Sequence, residues 1–229
     1  VYKRQVLGDP NRTMLSSKME DFLSVKLRDS VDSGQAWRIL GNQIPMARTH
    51  VPDVANRLAR DAFTRLDSLP DSYNNLSRLG KFDLPLYLDT WDGYPVAREK
   101  LYDLCRESGA NDLIVLTGDS HAFWANELFN NANQSMGVEL GTTGVTSPGD
   151  FESYGPQGAV AIDRLVSEHN HEVVWTDCTR RGFIKLILTQ TSAQADYIAV
   201  DTVSSEKYVA SLVRRMEITK KDGGLVFED

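Results

Sequence analysis

The pattern of apolar and polar positions predicts a chain in which strands and helices alternate. Apolar residues at helical spacing predict amphipathic helices over residues 13–30 and 96–107. Shorter apolar runs predict strands over residues 36–41 and 113–117, and the second of these is apolar enough to be buried on both faces. Strand–helix–strand alternation is typical of a parallel sheet with helices on its faces. We therefore predict that these two strands are parallel neighbours in a central sheet.

The other elements are predicted from weaker patterns. A helix is expected over residues 51–69, a short helix over 122–128, a strand over 138–147 and a helix over 159–168. After residue 170 the pattern changes to short strands separated by tight turns. These strands are predicted over residues 172–175, 182–189, 195–203, 212–218 and 225–227. We expect the strands after residue 137 to form or join a second, largely antiparallel sheet.

Composition and charge narrow the class of protein. The chain has 229 residues with 41% hydrophobic and 25% charged content, which is ordinary for a globular α/β protein and argues against disorder. A formal net charge of −7 argues against electrostatic binding to the phosphate backbone of nucleic acid. Two cysteines define no disulfide framework, and no apolar run approaches the roughly 20 residues of a membrane span. No signal peptide is visible, and the start at Val1 without Met indicates a chain that begins within a domain.

Polar side chains follow both predicted strands of the central sheet. Gly118 ends the second strand, and Asp119 and His121 come directly after it. Residues two apart in an extended segment point the same way, so both side chains can face one ligand. Gln43 follows the first strand, and the carboxyl ends of parallel strands share one edge of the sheet, where ligands bind. The oxygen and nitrogen donors of Asp119 and His121 suit zinc or iron. The simpler alternatives are a loop Asp that caps a helix beside a hydrogen-bonded His, and ordinary turn chemistry for Gln43.

The segment Trp-Asp-Gly-Tyr-Pro over residues 91–95 is a second candidate for function. Two aromatic residues, a carboxylate, Gly and Pro make a rigid loop, and conspicuous loop residues are often functional. The alternative is a surface loop that is pinned by a buried Trp91. The sequence leaves both interpretations open.

Taken in order, five segments resemble the PhoD-like alkaline phosphatases, a branch of the calcineurin-like metallophosphoesterases. The segments are residues 11–15, 37–43, 91–95 with Arg98, 116–121, and Asn170 with Trp175 and residues 181–183. Trp-Asp-Gly-Tyr-Pro and Gly-Asp-x-His are the specific ones. The resemblance implies an α/β/β/α sandwich of two packed sheets that hydrolyses small phosphate mono- or diesters at a multinuclear metal site. Residues 1–229 are then expected to be the C-terminal part of a single domain whose N-terminal part is missing, in a periplasmic or secreted protein.

The resemblance also implies a metal-ligand set. Asp119 and His121 match the family's last metal block, with Asp in place of a first His, and Gln43 stands where related enzymes place a metal-binding His. An amide oxygen suits calcium better than zinc, in agreement with the mixed iron and calcium site expected of this family, with zinc or manganese as alternatives. The remaining ligands are expected upstream of Val1.

A further set of residues is implied to contact the substrate. The resemblance implies that Trp91, Asp92 and Tyr94 form an entrance loop and that Arg98 faces the phosphate. Asn170 is implied to make a polar contact with the substrate. His171 is the expected proton donor for the leaving oxygen, with His169 as an equally placed alternative donor.

Two other classes of function compete with a metal-dependent phosphatase. Residues 118–120 read Gly-Asp-Ser, the nucleophile block of SGNH esterases, but the block lies mid-chain and neither His169 nor His171 has an Asp three residues before it. The second alternative is a catalytically incomplete or non-catalytic remnant, because a chain with part of the ligand set is expected to hydrolyse esters poorly. The missing strands are also expected to expose apolar faces of Ile39, Leu40 and Ile114 and to leave a sheet edge open. Metal content separates these alternatives. The sequence predicts no oligomeric state.

Overall fold

The computed structural model describes residues 6–57, 76, 79–221 and 223–228. Its helices are α1 (Ser17–Asp32), α2 (Val54–Arg57), α3 (Pro95–Glu107) and α4 (Gly155–His169), with 3₁₀ turns at Trp91–Gly93 and Glu152–Tyr154. Its strands are β1 (Arg38–Gly41), β2 (Leu113–Thr117), β3 (Phe123–Phe129), β4 (Ser135–Gly141), β5 (Val173–Asp177), β6 (Arg181–Leu188), β7 (Ala193–Val200), β8 (Ala210–Lys221) and β9 (Gly224–Glu228). Most predicted elements are therefore confirmed within a few residues. The predicted helix over 51–69 lies largely outside the described residues.

The first sheet has the strand order β1-β2-β4-β3-β5. Strands β1, β2 and β4 are parallel, with Arg38 opposite Leu113, so the predicted pairing of the first two strands is confirmed. Strands β3 and β5 run antiparallel to their neighbours. The predicted helix over 122–128 is wrong, because these residues form β3. They are buried on both faces of the sheet and so lack the alternation that would have marked a strand.

The second sheet is antiparallel throughout and has the order β6-β7-β8-β9. The prediction that all strands after residue 137 belong to it needs correction, because β4 and β5 pair within the first sheet. The two sheets pack face to face around Ile114, Phe123 and Tyr197. Ile114, which a truncated chain was expected to expose, is instead fully buried by this packing. The expected exposure of Ile39, on edge strand β1, is confirmed at 48%.

Helices cover the other face of the first sheet. Helix α3 begins at Pro95, whose fixed φ suits a first helical turn, and buries Leu101 and Cys105 against that face. Helix α4 buries Ile162 and Val166 beside β5. The described layers are thus helices, first sheet and second sheet, a mixed α/β fold. Among the described residues, no helix has the length and hydrophobicity that crossing a membrane requires.

Candidate metal site at the carboxyl edge of the first sheet

The parallel pairing of β1 and β2 brings two of the predicted ligands to one edge. The Asn42 amide donates to the Leu116 carbonyl at 2.9 Å, which continues the pairing beyond the end of β1. The Gln43 carbonyl oxygen lies 4.0 Å from the position that a Cβ would take on Gly118. The Gln43 backbone therefore lies against the turn that carries Asp119, and the two strand ends share this edge of the sheet.

The turn after β2 is fixed by hydrogen bonds from both sides. Asp119 has a φ of 64°, in the left-handed region, which places a side chain at the tip of the turn. The Ser120 hydroxyl accepts a hydrogen bond from the Trp124 indole at 2.7 Å and lies 3.2 Å from an Asp150 carboxylate oxygen. On the other side, the Thr143 hydroxyl lies 3.2 Å from the His121 carbonyl oxygen. The backbone is held, and the Asp119 and His121 side chains are left available.

The donor set suits a cation. Gln43 and Asp119 are exposed and His121 is half-buried, and none of the three side chains makes a hydrogen bond or ion pair within the part of the chain that the structure describes. Amide oxygen, carboxylate and imidazole are donors that iron, calcium, zinc or manganese accept. Across the described residues, however, no group of three or more His, Cys, Asp or Glu side chains is arranged to hold a metal. The chain offers part of a coordination sphere.

The Trp-Asp-Gly-Tyr-Pro segment is largely buried. Trp91 is 1% exposed, Asp92 6% and Arg98 3%. Asp92 accepts a hydrogen bond from the Arg98 guanidinium at 2.8 Å, and the same guanidinium nitrogen donates to the Met46 carbonyl at 3.0 Å. Burial is the largest single influence and works to lower the pKa of Arg98, but the charge and hydrogen bond of Asp92 together with Tyr102 and Glu172 outweigh it, so the net pKa is raised. We therefore revise the prediction that Arg98 faces phosphate, since its charge is already paired inside the protein.

Tyr94 lies at the rim of the same segment. It is half-buried, and the Arg12 guanidinium lies over its ring, 4.5 Å from the centroid. Arg12 also donates to the Gly93 carbonyl at 3.0 Å. The buried Trp91 fits the alternative of a loop pinned by its tryptophan, while an entrance role for Tyr94 stays a prediction.

The structure places the predicted proton donor far from the candidate metal ligands. Phe123, which pairs with Asp177, begins β3 two residues after His121. His171 stacks on Phe129 at the other end of β3, with 4.9 Å between ring centroids. Six residues of extended strand span about 20 Å. We therefore revise the prediction that His171 protonates a leaving group at this site.

The alternative donor His169 and the predicted substrate contact Asn170 are also engaged elsewhere. His169 lies 3.0 Å from a carboxylate oxygen of Asp83. The Asn170 side chain accepts a hydrogen bond from the His50 amide at 2.6 Å and donates to the carbonyls of His50 and Val166. Asn170 is thus a buried structural side chain rather than a free substrate contact.

Sequence reasoning missed a buried carboxylate, Glu139. It is 0% exposed in the middle of β4 and accepts hydrogen bonds from the Met46 and Ala47 amides and from Asn126. Burial raises its pKa, and the hydrogen bonds act in the opposite direction. The available signal was a Glu inside the apolar run Met-Gly-Val-Glu-Leu, because a charge in a buried strand needs dedicated partners.

A cavity of about 550 Å³ opens at the same edge of the sheets as the candidate ligands. Its lining includes Thr179, Arg180, Thr202 and Ser204. The Thr143 hydroxyl links it to the turn, because this hydroxyl lies within hydrogen-bond distance of both the His121 and the Arg180 carbonyls. The Arg180 side chain is half exposed and pairs with Asp177 at 2.5 Å.

Comparison with known proteins agrees with these features. The sequence profile of the family described as PhoD-like phosphatase matches residues 1–197. The chain belongs to the PhoD-like phosphatase family. Alkaline phosphatase D of Bacillus subtilis (strain 168) is 27% identical over 219 residues, which cover 93% of this chain and 31% of that protein.

The fold agrees with a solved member of the PhoD-like phosphatase family. A structure described as the structure of PhoD aligns with a TM-score of 0.69 at 23% identity, over 97% of this chain and 37% of that chain. At that identity the likeness shows the fold. The chain spans about a third of the length of the relatives that it matches.

Proposed function

We propose that this chain supplies part of the active site of a metal-dependent hydrolase of small phosphate mono- or diesters. Gln43, Asp119 and His121 are the proposed metal ligands. The observation that carries the proposal is their shared position at the carboxyl edge of the first sheet, with all three side chains unengaged in the described structure. Iron and calcium are the proposed metals, with zinc or manganese as alternatives. The complete domain is proposed to be an α/β/β/α sandwich.

The residues of this chain have distinct roles in the proposed reaction. When bound, the cations would supply activation of a water molecule and stabilisation of the charge on the phosphoryl oxygens. The turn held by Ser120 and Thr143 fixes where Asp119 and His121 present their donor atoms. Because Arg98 is buried, the half-exposed Arg180, which pairs with Asp177 but keeps part of its guanidinium open to solvent, is the better-placed guanidinium for an anionic or polar substrate group in the adjacent cavity.

The described contacts disfavour the serine-esterase alternative. The Ser120 hydroxyl is engaged with the Trp124 indole and Asp150, and no histidine hydrogen-bonds to it within the described ranges. A serine nucleophile requires a base within hydrogen-bond reach.

The alternative of an incomplete or non-catalytic chain has direct support. No cluster of three His, Cys, Asp or Glu ligands is formed in the described structure, and the chain covers about a third of its relatives. With few protein ligands per cation, geometry and affinity are both expected to be poor. We infer that the chain alone hydrolyses phosphate esters slowly.

Metal content and hydrolysis test the proposal together. The chain and its Asp119→Ala and His121→Ala variants would be dialysed to equilibrium against iron and calcium, and bound metal would be measured without a desalting step, because weakly held ions do not survive one. Asp103→Asn, an exposed change on α3, is the matched control. Hydrolysis of p-nitrophenyl phosphate and bis(p-nitrophenyl) phosphate would be compared with that by alkaline phosphatase D of Bacillus subtilis. Metal retained by the chain and the control but lost by both site variants supports the proposal. Equal metal content in all four proteins would refute it.

A further inference from the structure

Five consecutive backbone amides, from Met46 to His50, each donate to a buried side-chain acceptor. The pairs are Met46 N to Glu139 Oε1 at 2.6 Å, Ala47 N to Glu139 Oε2 at 3.1 Å, Arg48 N to Glu172 Oε2 at 2.5 Å, Thr49 N to Asp92 Oδ2 at 2.8 Å and His50 N to Asn170 Oδ1 at 2.6 Å. Buried amides normally pair with backbone carbonyls of a helix or sheet. Here four side chains from three separate parts of the fold, namely β4, the Trp91–Gly93 turn and the connection between α4 and β5, replace a neighbouring strand.

Burying these acceptors costs free energy, which indicates that a fixed position of this segment matters to the protein. Glu139, Glu172 and Asp92 are at most 6% exposed. A buried carboxylate is tolerated where hydrogen bonds or an opposite charge satisfy it. The Arg48 side chain pairs with Glu172, and Arg98 pairs with Asp92. The charges of Glu172 and Asp92 are therefore matched, Glu139 is satisfied by amide donors alone, and the segment is fixed to elements on both sides.

The residues between Gln43 and this amide series are held from the Trp91 side. The Trp91 indole donates to the Asn42 side-chain oxygen at 3.3 Å, and the Trp91 amide donates to the Pro45 carbonyl at 3.4 Å. Arg98 then bonds the Met46 carbonyl. Trp91, Asp92 and Arg98 together form what we call the clamp. The clamp contacts the residue before Gln43 and the backbone two and three residues after it.

Gln43 itself has no such contact. Its side chain is exposed and makes no hydrogen bond within the described structure. Its position is therefore set by the backbone on either side, which the clamp holds. A small displacement of a ligand group is enough to weaken a metal site, since partners outside the ligand set commonly change metal affinity by about 10- to 100-fold.

We propose that Trp91, Asp92 and Arg98 are positioning residues that hold Gln43 at the metal site, and that they do not contact substrate. This inference rests on the proposed function, because it takes Gln43 as a ligand. It gives the Trp-Asp-Gly-Tyr-Pro segment and Arg98 one shared role. The clamp acts through the segment from Asn42 to Met46.

Two variants test the clamp at different depths. Trp91→Phe keeps an aromatic ring and removes the indole donor to Asn42, and Asp92→Asn removes the charge that pairs with Arg98. Asp103→Asn is the matched control, since it breaks an exposed pair with Arg106 on the same helix as Arg98. Calorimetric titration with Ca²⁺ is expected to show that the two clamp variants bind Ca²⁺ more weakly than the native chain, by up to about tenfold, and that the affinity of the control is unchanged. Unchanged affinity in Trp91→Phe would overturn the proposal.

A cycle with Gln43→Ala separates positioning from general stability. If the clamp acts through Gln43, Trp91→Phe lowers Ca²⁺ affinity in the native background and has no further effect once Gln43 is removed. Equal losses in both backgrounds would show that the clamp only stabilises the fold and would refute the positioning role. Should Asp92→Asn fail to fold, Trp91→Phe carries this measurement, because it leaves the buried ion pair intact.

Hydrogen exchange distinguishes failure of the clamp from failure of the proposed metal site. If the native chain binds no Ca²⁺, the proposed function fails, and the clamp is judged by exchange of the amides of residues 43, 44, 46 and 47. Faster exchange of these amides in Trp91→Phe, with exchange in β7 and β8 unchanged, supports the clamp. Unchanged exchange at all four amides overturns it.

Discussion

Replacing Asp163 by Asn is expected to change how the stability of the chain depends on pH. Asp163 lies on α4, is 6% exposed, and accepts a hydrogen bond from the Cys178 amide at 3.0 Å, while its second oxygen has no partner among the described residues. Burial raises the pKa of this carboxyl from 3.8 to about 6. The folded protein therefore holds a proton that the unfolded chain has already released.

The sign and size of the effect follow from this difference. Because the folded state binds more protons between the two pKa values, the free energy of unfolding falls as pH rises through that window. A rise from 3.8 to about 6 corresponds to a loss of about 3 kcal/mol, at about 1.36 kcal/mol per pKa unit. About 2 kcal/mol of this loss falls between pH 4.5 and pH 8, and the loss is complete above the folded pKa. Asn cannot ionise, so the Asp163→Asn variant does not lose this stability as the pH rises.

Urea unfolding at pH 4.5 and pH 8 measures the difference. We subtract the free energy of unfolding of the native chain from that of Asp163→Asn. This difference is expected to be about 2 kcal/mol larger at pH 8 than at pH 4.5, because only the native chain loses stability over that range. Asp103→Asn, which is exposed, is the control and should track the native chain at both pH values. A difference that is the same at both pH values, or one that reverses sign, would refute the assignment of a raised pKa to Asp163.

Further predictions concern the site and its scaffold. Asp119→Ala or His121→Ala is expected to lower bound metal by at least tenfold, measured by metal analysis at dialysis equilibrium, and unchanged binding would contradict their role as ligands. His171→Ala is expected to leave hydrolysis unchanged, because the residue lies at the other end of β3; a lower rate in the p-nitrophenyl phosphate assay would restore it as a candidate. Gly93→Ala is expected to lower the free energy of unfolding by about 3 kcal/mol, because a Cβ there would collide with the Leu88 carbonyl. The control is Gly41→Ala, where a Cβ would have no atom within 4 Å. Equal stability of the two variants would contradict the clash.

Much of the edge that carries the candidate ligands was predictable from local sequence. The run from Leu113 to Leu116 has no polar residue that could face water, so a strand buried on both faces was the consistent interpretation. The glycine after it and the donors beyond it follow from that strand. The pairing with β1 follows from the helix between the two strands, since crossovers of this kind connect parallel neighbours.

The roles of Asp92, Arg98 and His171 were not predictable in the same way. Asp92 and Arg98 lie on different elements, and nothing in their spacing shows that their charges satisfy each other in the core. A charged residue in a conspicuous motif looks the same in sequence whether it meets substrate or a buried partner. The assignment of His171 failed because a residue before a strand faces the opposite end of the sheet from one after it, and the direction of β5 is set by its pairing with β3.

The series of side-chain acceptors along residues 46–50 determines what sequence changes this segment tolerates. The bound groups are amides, which every residue except proline possesses, so proline is excluded at these five positions. Other residues of suitable size are permitted except at position 48, where the Arg side chain pairs with the buried Glu172. Inserting or deleting one residue would instead move each amide by about 3.3 Å and leave the acceptors without donors. We therefore expect the number of residues between Gln43 and His50 to be constant among related proteins, even where the residues themselves differ.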